Sequence, residues 1–203
     1  MCDDHKTISL GFTEQQFPPG IHVCQIFSDD DERQESVLKF LLSGLLEGER
    51  TSCFSEKVTA KILQEFLDSS GVSYDETVKS GACTLSGTHD VYLQGGRFDP
   101  KRSLNLLKQY YIDSIDQGYE AARVIGEMPL EVQHTQGGEG LMEYESRVSL
   151  LLQEYPLTTV CQYSAHDFNG ALIMDVLKVH PYIVVKGSVI HNPFHIPPEE
   201  FLT

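Results

Sequence analysis

From Ile21 onward the chain alternates short apolar runs with segments of helical period, and no other feature restricts its fold as much. Strand-like runs stand at HVCQIF (22–27), TSCFS (51–55), RVIGEM (123–128), TTVCQY (158–163) and YIVVKGSVI (182–190). Between them, apolar residues recur three and four apart. Examples are Val37, Leu38, Leu41 and Leu45, then Val58, Ile62, Leu63 and Phe66, and later Leu104, Leu107, Tyr111 and Ile115. Leu141, Tyr144, Val148 and Leu152 repeat the pattern, as do Phe168, Leu172, Ile173 and Val176. Side chains recurring every 3.6 residues share one helix face, whereas a continuous apolar run suits a strand covered on both sides. Strands separated by helices pair in parallel, because the helix supplies the crossover. The expected fold is therefore α/β and three-layered: a mainly parallel sheet with helices on both faces. A chain of 203 residues is long enough to bury such a core.

Punctuation refines this outline. Asp99-Pro100 reads as a helix start, with Asp as N-cap and Pro at the first helical position. Gly71 stands where a helix would end, and Gly187 predicts a turn or bulge inside the last β-rich stretch. ACTL (82–85) and DVYL (90–93) read as short β-like pieces. Residues 1–20 are polar and end in Pro18-Pro19-Gly20, which suggests a lead-in rather than part of the domain. The domain itself would span 21–198, followed by a tail at 199–203. The proline-broken end, HNPFHIPPEEFLT, would pack as an extended strap or lead outward.

Charge narrows the partners. A formal net charge of -15 repels phosphodiester backbones and anionic lipid, so neither nucleic acid nor a membrane surface is an expected partner. No apolar run is long enough to span a bilayer. The start, MCDDHKTISLGF, has neither the basic nor the apolar region of a signal peptide. Cys2, Cys24, Cys53, Cys83 and Cys161 are odd in number and show no CxxC spacing, which fits a reduced compartment. The cytoplasm is the expected location.

In an open α/β sheet, ligands bind beyond the carboxyl ends of the strands, so the turn after HVCQIF is the first place to look. It reads SDDDERQES (28–36). A phosphate loop needs glycines, so that backbone N–H groups can wrap a phosphate, and a lysine for the terminal phosphates. This turn has no glycine and no lysine, and its carboxylates would repel a triphosphate. They suit a helix N-terminus, where negative charge opposes the dipole. A cation or amine site is the other reading of the same residues.

The flanks of that turn carry a resemblance. FLLSGLLEGERTSCFSEK (40–57) is similar to the helix and second strand of KaiC-type ATPases of the RecA fold, and RVIGEM stands roughly where that family keeps its acidic magnesium strand. A narrower match is stronger. HVCQIF, FLLSGLLEGE, the Tyr92/Gly96/Phe98 segment, RVIGEMP, Tyr144-Glu145, VCQYSAHDF, His180-Pro181 and the final NPF occur in one order. Together they resemble the MEDS domain, the methanogen/methylotroph DcmR sensory domain, from about Gly20 to Pro198. The resemblance implies a RecA/KaiC-like fold without a working phosphate loop. It also implies a sensory module of prokaryotic signalling proteins, read out by a histidine kinase or a transcription regulator. The ligand implied is a simple hydrocarbon derivative or one-carbon-type molecule. The chain itself has no room for a kinase or a helix-turn-helix, so it is expected to be a stand-alone member or the sensory part of a longer protein.

Several residues are candidates for the ligand site. His22 and Cys24 alternate on one strand and so share a face. They could contact a ligand, pack in the core, or start a metal site whose other ligands would come from Cys161, His180 or His191. Glu127 closes a buried strand. It would contact ligand at the sheet edge, or pair internally with Arg123 on the same face. Cys161 and Tyr163 share a face of TTVCQY, with core packing as the alternative. His191 would close the pocket or turn the chain, and Tyr92 beside Gly95-Gly96 would act as a lid. No Ser-His-Asp order, HExxH or zinc-finger spacing occurs, and no catalytic residue or required cofactor is expected. The leading expectation is a non-catalytic small-molecule sensory domain, with homodimerisation open. A divergent nucleotide-binding or ATPase module and a ligand-free dimerisation scaffold are the alternatives.

Overall fold

A computed structural model describes residues 7–203; Cys2 and the first part of the expected lead-in lie outside that range. The chain opens with two short antiparallel strands, β1 (Ile8–Ser9) and β2 (Gln16–Phe17). There follow β3 (His22–Phe27), α1 (Asp30–Leu46), β4 (Arg50–Phe54), α2 (Ala60–Ser69) and α3 (Tyr74–Lys79). Next come β5 (Cys83–Ser86), α4 (Thr88–Tyr92), α5 (Pro100–Asp116), β6 (Ala122–Glu127), α6 (Leu141–Glu154) and β7 (Thr158–Ser164). The chain ends through α7 (Gly170–Val179), β8 (Tyr182–Val185), β9 (Ser188–His191) and α8 (Pro198–Phe201).

A seven-stranded sheet forms the middle layer, in the order β5-β4-β6-β7-β3-β8-β9. Its pairings are parallel except that of β8 with β9. That pair is a hairpin turning at Lys186 and Gly187, whose φ values of 48° and 75° are those of a primed turn. One sheet face presents Cys24, Val124, Cys161 and Tyr163 to residues of α5, α6 and α7, including Leu107, Tyr144, Val148 and Val176. The other presents Val23, Cys53, Ile125 and Val160 to α1 and α2, including Val37, Leu41, Leu63 and Leu67. The alternation of strand residues thus divides the interior into two cores, as the sequence pattern requires.

Three elements differ from the sequence-based expectation. DVYL belongs to helix α4, in which Thr88, Val91 and Tyr92 are buried together at helical spacing. So short an apolar run has no period of its own to separate strand from helix. Helix α3 was legible only through its cap: Ser73 accepts from the Glu76 backbone N–H at 3.3 Å, in a Ser-x-x-Glu arrangement. The expected lead-in is part of the core, with Ile8 and Leu10 about as buried as any residue in the chain. Their apolar side chains close the edge of the α1 core, which exceeded the pull of the polar residues between them.

Candidate functional site

Only Ser28 and Asp29 separate β3 from α1, which leaves no length of backbone to wrap a phosphate. Asp29 caps α1, accepting from the Glu32 backbone N–H at 2.9 Å, while Asp30, Asp31 and Glu32 fill the first turn. Behind them Arg33 is fully buried. Its Nε donates to Asp30 at 3.0 Å, and its Nη1 lies 3.9 Å from Glu127. Lys57 bridges Asp30 at 3.0 Å and Glu127 at 3.4 Å. These cations hold the Asp30 carboxyl below its usual range, Arg33 contributing most. Gln162, Gln25 and Ser36 form a buried hydrogen-bonded row beneath, with donor–acceptor distances of 2.8 and 2.9 Å. The position that would receive a phosphate is therefore filled by the chain's own side chains. A shallow cleft of about 290 Å³ remains beside it, lined by Glu127, Met128, Leu130, Thr88, His89 and Asp167.

Glu127 does not pair with Arg123. Four residues along a strand span about 13 Å, beyond the reach of one side chain to the other. Arg123 instead donates to Glu49 at 2.5 Å and to the carbonyls of Ser9 and Phe40.

A second constellation lies in the interior, between the sheet and the α6–α7 layer. His22 enters from the start of β3 and Cys161 from the middle of β7. Glu145 comes from α6, and His180 is the residue that ends α7. All four are buried, and their ligand-type atoms lie within 4.8 Å of one another. His22 Nε2 is 3.3 Å from Cys161 Sγ and 3.4 Å from Glu145 Oε2. His180 Nε2 is 3.5 Å from the same carboxylate oxygen, and the Cys161 thiol faces it at 3.6 Å. Tyr163 donates to the other oxygen, Oε1, at 2.5 Å. His22 Nδ1 contacts Ser149 Oγ at 2.9 Å, and His180 Nδ1 contacts the Val176 carbonyl at 2.8 Å.

Electrostatics follow from burial. Desolvation alone would raise the Glu145 pKa, but the imidazoles of His180 and His22 standing against it outweigh that, so the carboxyl sits below its usual range. Desolvation, reinforced by His180, pulls His22 down to about 4 against the attraction of Glu145. Burial, with the Glu145 charge, pushes Cys24, Cys161 and Tyr163 up. A carboxylate held in its ionised form thus faces un-ionised Cys161 and Tyr163 in a buried position.

The structure divides the six expected site residues. His22, Cys161 and Tyr163 join the buried constellation. Cys24 lies on the same sheet face, its Cα paired with that of Cys161, but outside the converging set. Glu127 is on the opposite face at the carboxyl edge, because its position in β6 alternates with Gly126, the register partner of Cys161. His191 is exposed on the edge strand β9 and meets Tyr182 edge-on, so it closes no pocket around His22. Tyr92 is buried edge-on to Phe54 and serves as core rather than lid. Glu145 was missed as a site residue, though it was legible: Leu141, Glu145, Val148 and Leu152 fall at 0, 4, 7 and 11 along one helix face, and only Glu145 is charged.

The profile of MEDS, described as the MEthanogen/methylotroph, DcmR Sensory domain, matches residues 21–181. No curated protein matches. A KaiC-like protein of the hyperthermophilic archaeon Pyrococcus horikoshii superposes with a TM-score of 0.62 at 15% identity, covering 88% of this chain and 80% of the other. The flagellar accessory protein FlaH of Methanocaldococcus jannaschii gives 0.58 at 11% identity, covering 90% and 83%. These likenesses establish a RecA/KaiC-like fold.

Proposed function

The chain belongs to the MEDS family of sensory domains, and on that premise we propose that it is a non-catalytic sensory domain for a small organic molecule. The observation that carries this reading is the two-residue connection of β3 to α1, closed by Asp30, Arg33, Lys57 and Glu127. The frame of a nucleotide-binding domain is kept while the place for a triphosphate is taken. The cleft beside it, near Glu127, is acidic with an apolar wall of Met128, Pro129 and Leu130. It suits a neutral or cationic molecule of a few heavy atoms, in keeping with a one-carbon-type or simple hydrocarbon-derived ligand, and it repels anions. Occupancy would shift the population between two conformations of the strand-end loops, and an output protein such as a histidine kinase or transcription regulator would read the difference.

Thermal unfolding with a panel of C1–C3 alcohols, amines and halides, and with magnesium-ATP, tests this. A panel member present at ten times its Kd raises the midpoint by about 3–6 °C. Glu127→Gln abolishes that shift, and magnesium-ATP causes none. Panel-wide silence overturns the sensory reading. ATP hydrolysis above background that is lost in Glu127→Gln replaces it with a nucleotide-binding one.

A further inference from the structure

We propose that His22, Glu145, Cys161 and His180 form a buried four-coordinate site for a divalent transition-metal ion of the zinc class. The site goes beyond the sensory reading and does not depend on it. Four elements far apart in sequence supply it: β3, α6, β7 and the end of α7. No turn or cap brings these atoms together, so their convergence is a property of the fold.

Spacing is the first support. Zinc binds nitrogen and oxygen at about 2.0–2.2 Å and sulfur at about 2.3 Å, so neighbouring ligands of a tetrahedral ion stand roughly 3.3–3.7 Å apart. The contacts here are 3.3 Å from His22 Nε2 to Cys161 Sγ and 3.4 Å from His22 Nε2 to Glu145 Oε2. They are 3.5 Å from His180 Nε2 to Glu145 Oε2 and 3.6 Å from Cys161 Sγ to Glu145 Oε2. Four of the six donor–donor separations thus match the edges of a tetrahedron of the required size, and the other two are no longer than 4.8 Å.

Orientation is the second. His180 Nδ1 faces a backbone carbonyl and must carry a hydrogen, which in the neutral ring leaves the lone pair on Nε2. That Nε2 is buried and makes no hydrogen bond; it is aimed at Glu145 Oε2, itself an acceptor. In that neutral form the Nε2 lone pair faces a carboxylate oxygen 3.5 Å away, and a cation between the two turns the repulsion into bonding. Each remaining polar atom of the ligands is already engaged. Ser149 holds His22 Nδ1, the Val176 carbonyl holds His180 Nδ1, and the Tyr163 hydroxyl holds Glu145 Oε1. Such outer contacts fix ring orientation and ligand basicity in metal sites.

Charge and softness set the class. One thiolate, one carboxylate and two neutral imidazoles balance a dication, which removes the cost of burying Glu145 as an isolated charge. Cys161 loses its proton to solvent as the ion binds. A set of two nitrogens, one sulfur and one oxygen favours zinc-like ions over magnesium or calcium, which take oxygen ligands. All four positions are filled by protein atoms, so the ion would tie elements together rather than activate water.

The test uses the full chain, purified without chelator and freed of any affinity tag. Elemental analysis of the protein as isolated should find close to one zinc-class ion per chain. Cobalt(II) added to the metal-free protein should give the intense visible bands of a four-coordinate ion and a thiolate-to-cobalt charge-transfer band. Cys161→Ser should remove the charge-transfer band, His180→Gln should weaken cobalt binding at least tenfold, and Cys83→Ser should change neither. Near-ultraviolet circular dichroism reports whether each variant folds; where Cys161→Ser does not, the wild-type metal content and cobalt spectrum decide alone. Folded wild-type protein with no ion and no cobalt charge-transfer band overturns the proposal. It would make the cluster a proton-bonded network, and leave the sensory reading to its own small-molecule titration. A charge-transfer band that survives Cys161→Ser also overturns it.

Discussion

Arg123 is fully buried, yet its guanidinium is matched by Glu49, Glu47 and the carbonyls of Ser9 and Phe40. Removing one partner of a buried ion pair strands the other charge, so Glu49→Ala should cost about 3–5 kcal/mol in denaturant unfolding. Gly44 makes the arrangement possible, since a Cβ there would stand 2.6 Å from Arg123 Cδ. Gly44→Ala should destabilise by about 1–3 kcal/mol by the same measurement, the usual cost of overfilling a packed site. An unchanged denaturation midpoint in either variant would show that the guanidinium has freedom the geometry denies it. Arg33 contrasts with this: it is equally buried and its Nε donates to Asp30, but its two terminal nitrogens lack hydrogen bonds and Glu127 stands 3.9 Å from Nη1. At this scale the sequence was half legible. Which strand residues share a face could be read from alternation, whereas which of them touch could not. Arg123 and Glu127 share a face and are too far apart, while His22 and Cys161 sit on neighbouring strands and meet.

Among the elements, the β1–β2 hairpin does more than its length suggests. Ile8 and Leu10 fill the edge of the core beneath α1, Phe17 meets Tyr182 edge-on, and Gln15 Oε1 accepts from the Val189 backbone N–H at 2.9 Å. The hairpin therefore closes the β8–β9 end of the sheet, where an uncovered strand would invite association. Leu10→Ala should cost about 2–5 kcal/mol, because it leaves a cavity in a fully buried apolar site. Equilibrium unfolding monitored by circular dichroism measures this, and a loss below about 1 kcal/mol would return these residues to a dispensable lead-in. The long helices and central strands were readable because each carries several turns or pleats of a single period. The hairpin, α3 and α4 were not, because two to six residues hold too little pattern to outweigh their polar neighbours.

For the molecule as a whole, the net charge of -15 is spread over a single compact α/β unit. Like charges at such density repel one another, and salt screens them within about 10 Å at 0.1 M. Raising sodium chloride from 10 to 150 mM should therefore raise the thermal midpoint, by a few degrees at this size. A midpoint that falls with salt would mean that surface ion pairs such as Lys39–Glu35 and Arg147–Glu143 outweigh the repulsion. Among the described residues, no helix is long and apolar enough to cross a membrane.

The sequence by itself determined the class of fold, the strands of the sheet, the two faces into which their side chains divide, and a first turn with no glycine or lysine for a phosphate. All of these follow from local period and residue type, which act within a few positions along the chain. Tertiary structure decided strand order, the closing of the strand ends by Arg33 and Lys57, and the meeting of His22, Glu145, Cys161 and His180. Those depend on how separate elements stack, and a parallel sheet with crossover helices brings together residues more than a hundred positions apart that share no local signal.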